Sequence, residues 1–97
     1  MLNADEINSA IERIRRMEQY FDIIGGEIQF GNYSIVFKPP FDKMYKSLVN
    51  YLDGGQWQKD FGLDEQGELP QWLKRGVLSE DGLYNLICDI ENYCFSR

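Results

Sequence analysis

Four carboxylates, Asp60, Asp64, Glu65 and Glu68, fall between two tryptophans, Trp57 and Trp72, with Phe61 and Leu63 interleaved. Acids gathered in this way suit three kinds of chemistry: holding a cation, paired acid and base catalysis, or attracting a positively charged partner. The first fits poorly. With Gly67 at the turn position of a calcium loop, the first ligand would be Gly62 and the twelfth Leu73, neither of which offers a carboxylate. The second needs a substrate cleft as well as acids, and a chain of 97 residues has little room to build one. Two readings of the stretch then stay open. In the plainer one, Trp57, Phe61, Leu63 and Trp72 pin an ordered loop over helices and the acids merely solvate it. In the other, Trp57 and Trp72 are contact anchors, and Asp60, Asp64, Glu65 and Glu68, joined by Glu80 and Asp81, draw in a basic protein.

Little else in the sequence could carry a reaction. There is no histidine, which removes the commonest general base and the usual partner of a nucleophilic cysteine. Cys88 and Cys94 do not make a zinc site without histidine. On one helix, six residues apart, they would be about 9 Å apart along the axis and so remain free thiols. A nucleophile elbow and a phosphate-binding glycine loop are also lacking. The expectation is a non-catalytic protein with no metal and no cofactor.

Charge narrows the choice of partner. Lys and Arg total 10 against 16 Asp and Glu, a formal net charge of -6. Such a chain is repelled by phosphate backbones and anionic lipid, which disfavours direct nucleic-acid or membrane binding and favours a basic protein. Mild acidity for solubility alone is the plainer explanation. Arg13, Arg15 and Arg16, set among Glu12, Glu18 and Asp22, read as a solvated helix face rather than an anion site. No apolar run approaches the ~20 residues of a membrane span, and Met1 leads straight into polar residues without a signal peptide, so a cytoplasmic location is expected.

The elements that must position these residues follow from periodicity. Hydrophobic residues are 43% of the chain and aromatics 14%, enough for one core, and the whole of 1–97 reads as a single domain. Ile7, Ala10, Ile11, Ile14, Met17, Phe21 and Ile24 recur at helical steps after a cap at Asn3 or Asp5, predicting a helix over about 5–24 that Gly25-Gly26 ends. Two extended runs around Gly31-Asn32 predict a β-hairpin over about 27–38, blunted by Pro39-Pro40. Phe41, Met44, Tyr45, Leu48, Val49 and Leu52 predict a second helix over about 41–53, closed by Gly54-Gly55. After the acidic loop at 56–69, Pro70 opens a short helix over 70–75 that ends in Lys74 and Arg75 and stops at Gly76. Ser79 then caps a closing helix over about 80–94, with Leu83, Leu86, Ile87, Ile90 and Cys94 on its buried stripe. The fold class expected is mostly α, formally α+β, with three main helices, a short helical turn and one small β-hairpin.

The run GELPQWLKRGVLSEDGLYNLI, preceded by GGQWQKDFGLDEQ, resembles a small bacterial family catalogued as domain of unknown function 4298, and IERIRRMEQYFD is similar to that family's opening helix. Acidic loop, Pro, Lys-Arg-Gly and Leu-Ser-Glu-Asp in one fixed order make the C-terminal part of the resemblance specific. The resemblance implies helix between the two ends, whereas here 25–40 carries glycines and two prolines. It implies architecture rather than activity. Function is therefore expected from charge and aromatics: neutralisation of a basic protein by occlusion, as by an immunity protein against a bacterial nuclease-type toxin. The alternatives are a phage-encoded inhibitor of a nucleic-acid-binding defence complex and a small regulatory adaptor. Their discriminating signs would be genetic neighbours.

Overall fold

The protein is all-helical. A computed structural model describes residues 3–95, in which four α-helices, α1 (Ala4–Gln29), α2 (Phe41–Asp53), α3 (Gln56–Glu65) and α4 (Gly82–Cys94), are joined by two 3-10 turns at Tyr33–Phe37 and Gly76–Leu78. Asn3 caps α1, its side chain accepting from the Glu6 amide at 2.8 Å. From there Ala10, Ile14, Met17, Ile24 and Ile28 run down one buried stripe. Gly25 and Gly26 do not end the helix. Each costs about 1 kcal/mol relative to alanine in a helix interior, but Ile24 and Ile28 on either side are buried, and each fully buried side chain contributes roughly 1.5–3 kcal/mol. Packing wins over local preference.

The expected hairpin is absent: no strand occurs among the described residues, and its two halves lie in different helical elements. Glu27 to Gln29 finish α1, and Tyr33–Phe37 is a 3-10 turn with Val36 buried. Gly31-Asn32 does turn the chain, but as a helix stop. Gly31 takes a positive φ of 83°, its amide donates to the Ile28 carbonyl at 2.9 Å, and the Asn32 amide donates to the Glu27 carbonyl at 2.9 Å. These are the paired bonds of a Schellman closure, which satisfies carbonyls a helix end would otherwise leave orphaned. A second clasp holds it, from Asn32 Nδ2 to Glu27 Oε1 at 2.9 Å.

The expectation for α2 holds to the residue, with Tyr45, Leu48 and Tyr51 buried. Gly54-Gly55 then turns directly into α3, which replaces most of the acidic loop expected at 56–69. The same closure recurs at its end, where Gly67 has φ 73°, its amide donates to the Asp64 carbonyl at 3.1 Å and the Glu68 amide donates to the Leu63 carbonyl at 3.0 Å. Pro70 starts no helix. Residues 66–81 instead form a strap whose only regular turn is Gly76–Leu78, although Leu69, Leu73 and Val77 are buried at steps of four. The closing helix begins two residues later than expected, with Asp81 rather than Ser79 at its N-cap and no side-chain capping bond. Ser79 Oγ nevertheless sits so close that any side chain at Gly82 would overlap it.

The helices share one core in which Ile14, Ile24, Leu48, Val77, Leu78, Leu83 and Ile90 are essentially inaccessible. α1 runs the length of the molecule, contacting α2, α4 and both 3-10 turns, while α3 packs on α2 and on the strap. No helix among the described residues is long and apolar enough to cross a membrane.

Candidate functional site

The strap is a loop of little regular structure held by side chains reaching in from α1 and α3. Val77 is its fixed point. The Val77 amide donates to Glu18 Oε1 of α1 at 2.7 Å, and its carbonyl accepts from Trp57 Nε1 of α3 at 2.9 Å. Both backbone groups of a fully buried residue are thereby satisfied by side chains rather than by backbone partners, as burial demands. The Glu18 carboxylate lies against Gly76, where an added Cβ would come within 3.0 Å of it. Trp57 is steadied by stacking on Phe61, one helical turn on, with centroids 4.9 Å apart and an interplanar angle of 12°.

Arg75 closes the other half of the strap. Its Nη2 donates to the Pro70 carbonyl at 2.6 Å, its Nε to the Leu73 carbonyl at 3.3 Å, and its Nη1 pairs with Asp64 of α3. A guanidinium presents several donors in a fixed plane, so one side chain can gather two carbonyls and a carboxylate where an ammonium could not with the same rigidity.

Asp60 is buried completely, at 0% exposure. Arg13 of α1 grips it in a fork, Nε to Oδ2 at 2.9 Å and Nη2 to Oδ1 at 2.5 Å, and the Tyr51 hydroxyl of α2 donates to Oδ2 at 2.7 Å. The hydrogen bond to Asp60 raises the pKa of Arg13 above its ordinary value, while burial, and then the bond to Asp60, push the Tyr51 hydroxyl up. Three helices therefore meet on one carboxylate.

The eight residues expected to meet a partner thus separate into two groups. Asp60 is sealed inside, Asp64 is half-buried and tied to Arg75, and Trp57 is half-buried with its indole N–H committed to Val77. Trp57 and Asp64 support the strap, Asp60 ties α1, α2 and α3 together, and all three have their polar groups committed inside the fold. Glu65, Glu68, Glu80 and Asp81 are exposed and make no ion pair among the described residues. Trp72 is exposed at 65%, with the Arg15 guanidinium 5.7 Å from its ring centroid. The two tryptophans that look alike in the sequence therefore do different work. Trp72 and Arg15 border an open groove of about 370 Å³ with Glu18, Asp22 and Leu73.

Arg13, read from sequence as part of a solvated face, points inward, and Glu18 and Arg75 were not recognised as anchors at all. A signal existed for Arg13, which sits at helical steps from Ala10 and Met17 on the edge of the buried stripe. Nothing local marks Glu18, whose partner is 59 residues away. Among the described residues no three His, Cys, Asp or Glu side chains converge as a metal site requires. Cys88 and Cys94 carry free thiols, and burial raises the Cys94 thiol above its ordinary pKa.

The arrangement is that of a small helical domain that presents an anchored strap carrying Glu68, Glu80 and Asp81, with the ion pairs of Asp60 and Asp64 turned inward. The chain belongs to the family described as a domain of unknown function, DUF4298, whose model matches residues 14–95. That span takes in the three anchors Glu18, Trp57 and Arg75 and the whole strap. No curated protein and no solved structure matches the chain.

Proposed function

We propose that the protein is a non-catalytic binding protein that acts in the cytoplasm and neutralises a basic protein partner by covering its working surface, as an immunity protein does for a bacterial nuclease-type toxin. The observation that carries this reading is the outer face of the strap. Glu68, Glu80 and Asp81 of the strap, and Glu65 at the end of α3, are exposed without ion pairs among the described residues, and the strap also carries an indole that is 65% exposed. Trp is enriched among the residues that dominate binding energy, and here its ring is open to contact. Exposed carboxylates add long-range attraction for a cationic surface and can stand where phosphates would. The anchors at Val77 and Arg75 hold the strap ready, so little conformational entropy is lost on contact.

The test is affinity capture on the immobilised protein from a lysate of the cells that carry it, followed by elution in rising salt. A basic protein is expected, released at lower salt from the E65K/E68K/E80K variant and bound at least about tenfold more weakly by Trp72→Ala. A captured partner that is acidic, or whose release is indifferent to these substitutions, would rule the reading out.

A further inference from the structure

A second face, made by the Tyr33–Phe37 turn, α2 and the last turn of α4, carries a cluster of exposed rings. Phe37, Tyr93 and Phe95 are 58%, 67% and 54% exposed. At roughly 200 Å² for an aromatic side chain they leave about 350 Å² of ring surface in water, the size of the largest apolar patch on a typical monomer, which is often functional. The rings are ordered among themselves. Tyr33 stacks on Tyr93 with centroids 4.0 Å apart, and Phe37 meets Phe95 edge to face at 5.6 Å. Beside them opens a groove of about 410 Å³ lined by Tyr45, Lys46, Val49, Asn50, Glu91 and Phe95.

The charges on this face differ from those of the strap. Lys46 and Glu91 stand on the same groove, from α2 and α4, yet make no ion pair with each other. A uniformly basic partner would meet Lys46 unfavourably, and two chains of net charge -6 would repel unless the contact supplied its own cations. A patch with an apolar centre and both signs at its edge is complementary to its own image turned through a half-rotation, because in such a contact residue i meets j while j meets i. We propose that this face is a two-fold interface between two copies of the chain, the aromatic clusters meeting across the axis and Lys46 of each copy facing Glu91 of the other.

The test uses the exchange of those two charges. Lys46→Glu and Glu91→Lys are exposed surface changes whose folding circular dichroism would check. Sedimentation equilibrium of the native chain, from low micromolar to several hundred micromolar, is expected to give a two-chain mass. Phe95→Ser and each single charge variant should weaken association at least about tenfold, since two like-charge contacts arise per pair of K46E or E91K chains. Mixing K46E with E91K should restore association to within about threefold of the native value, because both contacts are then between opposite charges. That recovery is peculiar to a contact in which position 46 of one copy meets position 91 of another, and association that stops at two chains closes it as a two-fold one. A monomer at every concentration overturns the proposal, as does association that ignores the variants or fails to recover in the mixture.

Discussion

At the scale of single residues, Asp60 shows how far a carboxylate's meaning depends on what folds around it. In the sequence it is one of four acids within nine residues. In the structure it is the one that three helices enclose, with Arg13 and Tyr51 supplying three donors between them. Removing one member of a buried, hydrogen-bonded ion pair strands the other. Asp60→Ala should therefore lower stability in urea by about 3–5 kcal/mol, with Asp60→Asn losing less because an amide oxygen still accepts from Tyr51. Asp64→Ala, whose partner is closer to water, should lose well under that. Equal losses at the two positions would mean that Asp60 is less enclosed than it stands here. The pairing of Arg13 with Asp60 was not legible beforehand, because the two are 47 residues apart and no local pattern connects them.

At the scale of elements, the stretches with a clean apolar stripe were legible and the others were not. α2 and α4 follow their periodicity closely, and α1 fails only at its end. There Gly25-Gly26 looks like punctuation, but the burial of Ile24 and Ile28 carries the helix through it. The hairpin was a misreading of Gly31-Asn32, since the same residues serve a tight strand turn and a Schellman closure, and only the packing of Ile28 decides between them. α3 was hidden because its buried face includes an aspartate, which removes the hydrophobic signal that marks a helix. The strap misleads in the opposite direction. Leu69, Leu73 and Val77 have helical spacing, yet the Leu73 amide bonds only three residues back to Pro70, and both backbone groups of Val77 go to side chains of other elements. Glu18 is the most telling of these. Glu18→Ala should free the Val77 amide to exchange with solvent, raising its hydrogen-exchange rate by a factor consistent with losing about 1.5–3 kcal/mol, while amides in the middle of α1 and α2 keep their protection. Unchanged protection at Val77 would show that the carboxylate does not hold it.

At the scale of the whole molecule, the polar groups divide into an inner set that ties helices together and an outer set left to solvent. The inner set extends to the tyrosines. Burial pushes the Tyr45 hydroxyl up to about 12, and Tyr51 is also raised. A hydroxyl that holds its proton more tightly when folded stabilises the native chain fully below its ordinary pKa of 10.0 and loses that contribution as pH climbs toward the folded value. Stability should therefore fall above pH 10.0, and an ultraviolet titration of the six tyrosines should show Tyr45 and Tyr51 ionising late and together with loss of helical signal. Smooth, reversible ionisation of all six without unfolding would contradict their enclosure. Function was less legible than fold. Net charge and aromatic content read the same whether the acids are turned inward or outward, and only the placement of Asp60 and Asp64 separates support from surface.

The two groups that fasten Val77 come from positions 59 and 20 residues earlier in the chain. The segment between α3 and α4 has short turns of its own, but its buried midpoint depends on side chains delivered by α1 and α3. Its burial at Val77 is rewarded only after Glu18 and Trp57 have been brought to the same place, so topology leads us to expect it to settle late, as a latch closing on helices already joined.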